Sequence, residues 1–113
     1  MDFKTRKIDD VVVYDLEWEF KIVEEMPIAL QDDVKNQIRS RKRNFLFNLG
    51  GVKYMDSYGL GEMVASYISI SHAGGRLKLT NLLPRIALMF KVTGLDKVFD
   101  IFDDEKEAME EFY

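Results

Sequence analysis

The residues with the most chemical content are Asp56-Ser57-Tyr58-Gly59-Leu60-Gly61. They lie where an apolar, strand-like run gives way to an amphipathic helical pattern, which predicts Ser57 at a helix N-terminus. The first N–H groups of a helix lack intrahelical partners, and the helix dipole favours negative charge there. A serine so placed tolerates a phosphate. Asp56 or Ser57 can equally serve as a plain helix cap, a common use of both residue types. A catalytic serine would need a base within reach, held by a third group. The chain's single histidine, His72, falls at the far end of the same predicted helix, about 20 Å away at 1.5 Å per residue. The serine is therefore read as a switchable or capping residue, not a nucleophile.

Other chemistry is poorly supplied. Gly59-Leu60-Gly61-Glu62-Met63-Val64 has the outline of a dinucleotide fingerprint. It lacks the third small residue, and Glu62 would set a carboxylate beside a pyrophosphate. Gly50-Gly51 is not followed by the Gly-Lys-Ser/Thr of a phosphate-binding loop. One histidine, no cysteine and no ligand-spaced carboxylates predict no metal site. Asp32-Asp33 reads as a solvated face, and Asp103-Asp104-Glu105 as a helix start. The cluster Arg39, Arg41, Lys42 and Arg43 lacks the interleaved aromatics of a single-strand binder and reads as a solvated helix end. No cofactor is expected, and the chain is not read as an enzyme. Trp18, Phe20 and Tyr58 are anchors of a protein interface if exposed and core if buried.

The elements that must position Ser57 follow from periodicity. Phe3 to Ile8 and Val11 to Leu16 alternate as strands, with Asp9-Asp10 as a tight turn between them. Pro27 suits the first turn of a helix whose inner face is Met26, Leu30, Val34 and Ile38. Phe45 to Leu49 is the near-continuous apolar run of a strand covered on both faces, broken by Gly50-Gly51. Leu60, Met63, Val64, Tyr67 and Ile68 form the next helical stripe, which Gly74-Gly75 ends. A short strand at Leu77 to Leu79 leads to a helix that Pro84 opens and Gly94 closes. Val98 to Phe102 is a last strand, and Asp104, with Glu107 three residues on, caps a last helix. The order ββαβαβαβα predicts an α/β fold with a mixed, mostly parallel five-stranded sheet and four helices.

A chain of 113 residues that is 47% hydrophobic and 32% charged can bury one core, so residues 1–113 are read as a single domain. The net charge of −4 gives no general pull toward nucleic acid or anionic membrane. No apolar run approaches the ~20 residues of a membrane span. Met1 to Lys7 lacks the apolar core of a signal peptide. A cytoplasmic location is expected, with no membrane insertion.

The stretch from Asn44 to Met63, with Asp56-Ser57-Tyr58-Gly59-Leu60 at its centre, resembles the STAS domain of bacterial anti-sigma factor antagonists. The likeness continues through Gly74-Gly75-Arg76-Leu77-Lys78-Leu79, Leu83-Pro84-Arg85-Ile86 and Thr93-Gly94-Leu95-Asp96-Lys97-Val98-Phe99. It implies a partner that is an anti-sigma factor and serine kinase of the histidine-kinase-like ATPase type. It also implies phosphorylation at Ser57, release of the partner on phosphorylation, and a phosphatase that resets the switch. Asp56, Tyr58, Gly59, Leu60, Trp18 and Phe20 are the expected partner-binding residues. Two positions depart from the family pattern. Tyr58 stands where a small Ser/Thr is usual, and Trp18-Glu19-Phe20-Lys21 stands where the family has Gly-x-Leu-Asp. A non-switching scaffold subunit and a nucleotide-binding sensor are the competing readings. The chain is expected as a monomer or weak dimer.

Overall fold

A computed structural model describes residues 2–18 and 30–113. The chain opens with a hairpin, β1 (Asp2–Ile8) against β2 (Val11–Trp18), antiparallel, with Ile8 opposite Val11. The two-residue connection forces a left-handed backbone at Asp9, φ 54°, which aspartate tolerates better than most residues. Helix α1 (Leu30–Arg39) then crosses to β3 (Asn44–Val52), which pairs parallel with β2. Helix α2 (Ser57–His72), β4 (Arg76–Thr80), α3 (Pro84–Thr93), β5 (Asp100–Phe102) and α4 (Glu105–Glu110) complete the chain, with a 3₁₀ turn at Leu95–Lys97. The strand order is β1-β2-β3-β4-β5, parallel from β2 onward. The expected ββαβαβαβα architecture is the one observed.

The doubly apolar reading of β3 is explained by what lies on each face. Phe45, Phe47 and Leu49 join Val12, Tyr14, Leu16, Leu77 and Leu79 under α1, α2 and α3, which contribute Leu30 and Val34, Met63 and Ile70, and Ile86 and Phe90. On the opposite face Leu46 meets Val11, Val13, Ala108 and Phe112, the last two from the α4 segment. Beside that second cluster the sheet surface is polar. Arg6 donates to Asp15 through Nε (2.7 Å) and Nη2 (3.1 Å). Asn48 donates to Asp15 at 2.9 Å, and Asn81 donates to Asn48 at 2.9 Å. On the helical side, the Tyr14 hydroxyl crosses to α1 and donates to Asp33 at 2.6 Å.

Three local expectations need correction. Gly50-Gly51 does not break β3, which continues to Val52. The ladder slips between Asp15 and Glu17, and a Cβ at Gly51 would sit 2.7 Å from the Leu16 carbonyl, so glycine is what lets β2 and β3 stay paired there. The inner face of α2 is rotated from the predicted stripe. Gly59, Glu62, Met63, Ser66 and Ile70 are buried, whereas Ile68 is exposed. β5 starts at Asp100, not Val98, because the chain first makes the 3₁₀ turn after Gly94. The basic cluster is the exposed helix end expected, where Arg43 donates to the carbonyls of Ile38 and Lys42. Met26, Pro27 and the predicted start of α1 lie outside the described residues. The closures at Gly94 (φ 79°) and at Asp104, which accepts from the Glu107 N–H at 2.8 Å, are as expected.

Candidate functional site

Parallel pairing places the C-terminal ends of β2 and β3 side by side, where open α/β sheets commonly bind ligands and partners. From that edge residues 53–56 lead directly into α2. Asp56 is the N-cap. Its backbone is extended (φ −103°, ψ −173°), its Oδ1 accepts from the Gly59 N–H at 3.0 Å, and its carbonyl accepts from the Leu60 N–H at 3.0 Å. Of the two capping candidates, Asp56 is the one that caps. Ser57 is the first residue of the helix and is exposed. The cap engages the third amide of the turn, and the amides of Ser57 and Tyr58 likewise belong to the first turn of a 16-residue helix, which offers them no intrahelical acceptor. An anion on the Ser57 hydroxyl would meet those donors and the positive end of the dipole.

The structure gathers four more of the expected residues around this turn. Tyr58 is 44% exposed beside Ser57. Leu60 packs partly against the main core. Gly59, expected at the partner surface, is buried. What covers it is Trp18: a Cβ on Gly59 would lie 2.7 Å from the indole Cη2 and closer still to Cζ3. Trp18 is itself partly buried, stands edge-on to Tyr54 (centroids 5.7 Å, 81°), and accepts from the Lys53 N–H at 2.8 Å. Phe20 lies outside the described residues.

One residue of the site was missed by sequence reasoning. Glu62 is only 5% exposed. Its Oε2 accepts from the Gln31 N–H, in the first turn of α1, at 3.2 Å. Desolvation, and then hydrogen bonding toward Glu62, push the Tyr58 pKa upward, with Asp32 and Asp56 adding to the effect. The signal that could have found it is the i,i+4 spacing of Tyr58 and Glu62, which puts them on one helical face. Glu62 thus ties the start of α1 to the start of α2. His72, by contrast, is exposed at the far end of α2. Among the described residues no three His, Cys, Asp or Glu side chains are grouped to hold a metal ion. No helix among them is long and apolar enough to cross a membrane.

The family model for the STAS domain matches residues 2–108. The anti-sigma-B factor antagonist of Bacillus subtilis is 45% identical over 53 residues, which is 47% of this chain and 49% of that protein. The chain therefore spans about half the length of that relative in the match. A Thermotoga maritima protein provisionally named an anti-sigma factor antagonist is 31% identical over 110 residues, 96% of each chain. The solved NMR structure of the protein TM1081 superposes with a TM-score of 0.82 at 27% identity, over 98% of this chain and 88% of that one. A family match that takes in all five strands and the helices α1 to α3 places the molecule: the chain belongs to the STAS domain family.

Proposed function

We propose that this chain is an anti-sigma factor antagonist whose binding is switched at Ser57. In this reading it captures an anti-sigma factor that is also an ATP-dependent serine kinase, and so frees a sigma factor. Phosphorylation of Ser57 ends the capture, and a phosphatase restores it. The observation that carries the reading is the placement of Ser57: exposed, first in a long helix, and next to the Asp56 cap. A phosphate there brings about −1.5 to −2 charge without disturbing the fold. The same charge changes the surface a partner must cover. Asp32, Asp56 and Glu62 already surround the Tyr58 hydroxyl, so the phosphate deepens a negative field at the interface. Control then lies in binding rather than in folding. Asp56, Tyr58 and Leu60 lie beside Ser57 in sequence and, with Trp18 and Phe20, are the proposed partner-binding residues. The names of the relatives support the partner class.

The test uses wild-type, Ser57→Ala and Ser57→Asp chains as bait in extract of the source organism, followed by incubation with ATP and mass-spectrometric mapping of phosphate. Wild type and Ser57→Ala are expected to retain an ATPase of the histidine-kinase-like type, which phosphorylates Ser57 in wild type. Ser57→Asp is expected to lose it. Capture of the same proteins by all three baits, with no phosphate at Ser57, would instead describe a scaffold.

A further inference from the structure

The indole of Trp18 is in an unusual place for a side chain at the end of a strand. It lies on the one position of the first turn of α2 that has no side chain, Gly59. On its other side it meets the Tyr54 ring in the connection between β3 and α2. Its backbone is fixed from below by pairing with Val52 and by the bond from the Lys53 N–H. One residue therefore touches the end of β2, the connection and the first turn of the helix. Gly59 is two positions beyond Ser57, about 200° round the helix at 100° per residue, so Trp18 presses on the inner side of the turn while Ser57 faces out. Gly61, one half-turn further, is a control within the same helix: a Cβ there would meet nothing within 4 Å.

We infer that Trp18 is a positioning residue for Ser57. Its ring, seated on Gly59, holds the first turn of α2 at a fixed height against the sheet, and thereby sets the direction in which the Ser57 hydroxyl is presented. The significance of this role rests on the reading of Ser57 as the switched residue, but its physical content does not. Without the ring, the cap bond from Gly59 to Asp56 keeps only Met55 packed behind it, and the turn opens locally while the rest of α2 stays anchored by Met63 and Ile70.

The experiment is amide hydrogen exchange on the full chain, wild type against Trp18→Ala and Trp18→Phe. Trp18→Ala is expected to accelerate exchange at Gly59 and Leu60 roughly tenfold more than at Ile70 to His72, because only the first turn loses its support. Trp18→Phe, which keeps a ring over Gly59, is expected to recover most of that protection. Equal acceleration along the whole of α2, or none in the first turn, would overturn the inference. If Trp18→Ala fails to fold, Gly59→Ala and Gly61→Ala decide. The methyl at Gly59 must displace the ring, so emission from Trp18, the chain's only tryptophan, becomes more accessible to acrylamide than in wild type, and first-turn exchange accelerates. Gly61→Ala leaves both unchanged. Identical behaviour of the two alanine variants overturns the inference. None of these readouts requires the partner, so partner switching can fail while the positioning role stands, and the reverse.

Discussion

Replacing Glu62 tests whether the two helix starts are held together as the structure indicates. The carboxylate is nearly inaccessible and accepts from the Gln31 N–H at 3.2 Å. Glu62→Ala leaves a partly buried backbone amide without its acceptor and removes the carboxylate beside the half-exposed Tyr58 hydroxyl. An unsatisfied buried donor costs about 1–3 kcal/mol, and the exposed end of the pair contributes little because water can replace it. A negative charge facing the first turn of α1 adds about 0.3–1 kcal/mol through the helix dipole. Removing the buried carboxylate returns part of its own desolvation cost, so the net destabilisation expected for Glu62→Ala is about 2 kcal/mol. Glu62→Gln keeps an acceptor of the same shape and loses only the charge, at about 1 kcal/mol. At about 2.1 cal/mol/K per residue of unfolding entropy, each kcal/mol lowers the midpoint of a chain of 113 residues by about 4 °C. Calorimetric melts of the three proteins at one pH and salt concentration measure this directly. An unchanged midpoint in Glu62→Ala, or a larger loss in Glu62→Gln than in Glu62→Ala, would refute the argument that Glu62 bridges α1 and α2.

Three further outcomes follow from single contacts. Asp56→Ala removes the bond to the Gly59 N–H and should cost about 1 kcal/mol in urea unfolding, whereas Asp56→Asn should keep most of it. Tyr14→Phe deletes the bond to Asp33 inside the core and should cost about 1–2 kcal/mol. Burial, and then that bond, raise the Tyr14 pKa in the folded state, so its contribution is full below the unfolded value of about 10 and is lost as pH rises above it; Tyr14→Phe should flatten the alkaline limb of a stability–pH curve. The Arg6 guanidinium, helped by Asn48, lowers the Asp15 pKa, so that contribution is present above about pH 4 and is lost as pH falls. Asp15→Asn should flatten the acid limb, by a modest amount because both partners are partly exposed.

The fold was legible because its signals are local. Asp9-Asp10 marks the hairpin, Gly94 and Asp104 mark helix boundaries, and the apolar run through Phe45, Leu46 and Phe47 marks a strand covered on both faces. The position of Ser57 was legible for the same reason, since a strand-to-helix junction with an Asp cap is written in six consecutive residues. What could not be read depends on residues distant in sequence. Glu62 looked like a surface carboxylate hostile to phosphate, and only the arrival of Gln31 from α1 explains why it is buried. Ile68 looked like core because α2 is amphipathic only weakly, and the small residues Gly59 and Ser66 face inward beside Met63 and Ile70. Trp18 could be read as anchor or as core; Gly59, 41 positions later in the chain, is what decides where its ring lies. The glycines at 50 and 51 look like a strand terminator in sequence, yet Gly51 is the residue that keeps β3 paired past the slip in β2.

The central claim is that charge at Ser57 controls binding while the fold stays the same. The measurement that tests it most directly is isothermal titration of the ATPase-type anti-sigma factor with two preparations of this chain, one unmodified and one stoichiometrically phosphorylated at Ser57, with thermal melts of both. The account predicts melting midpoints within a few degrees of each other and an affinity at least roughly tenfold weaker for the phosphorylated chain, equivalent to about 1.4 kcal/mol of binding free energy. Equal affinities would contradict it.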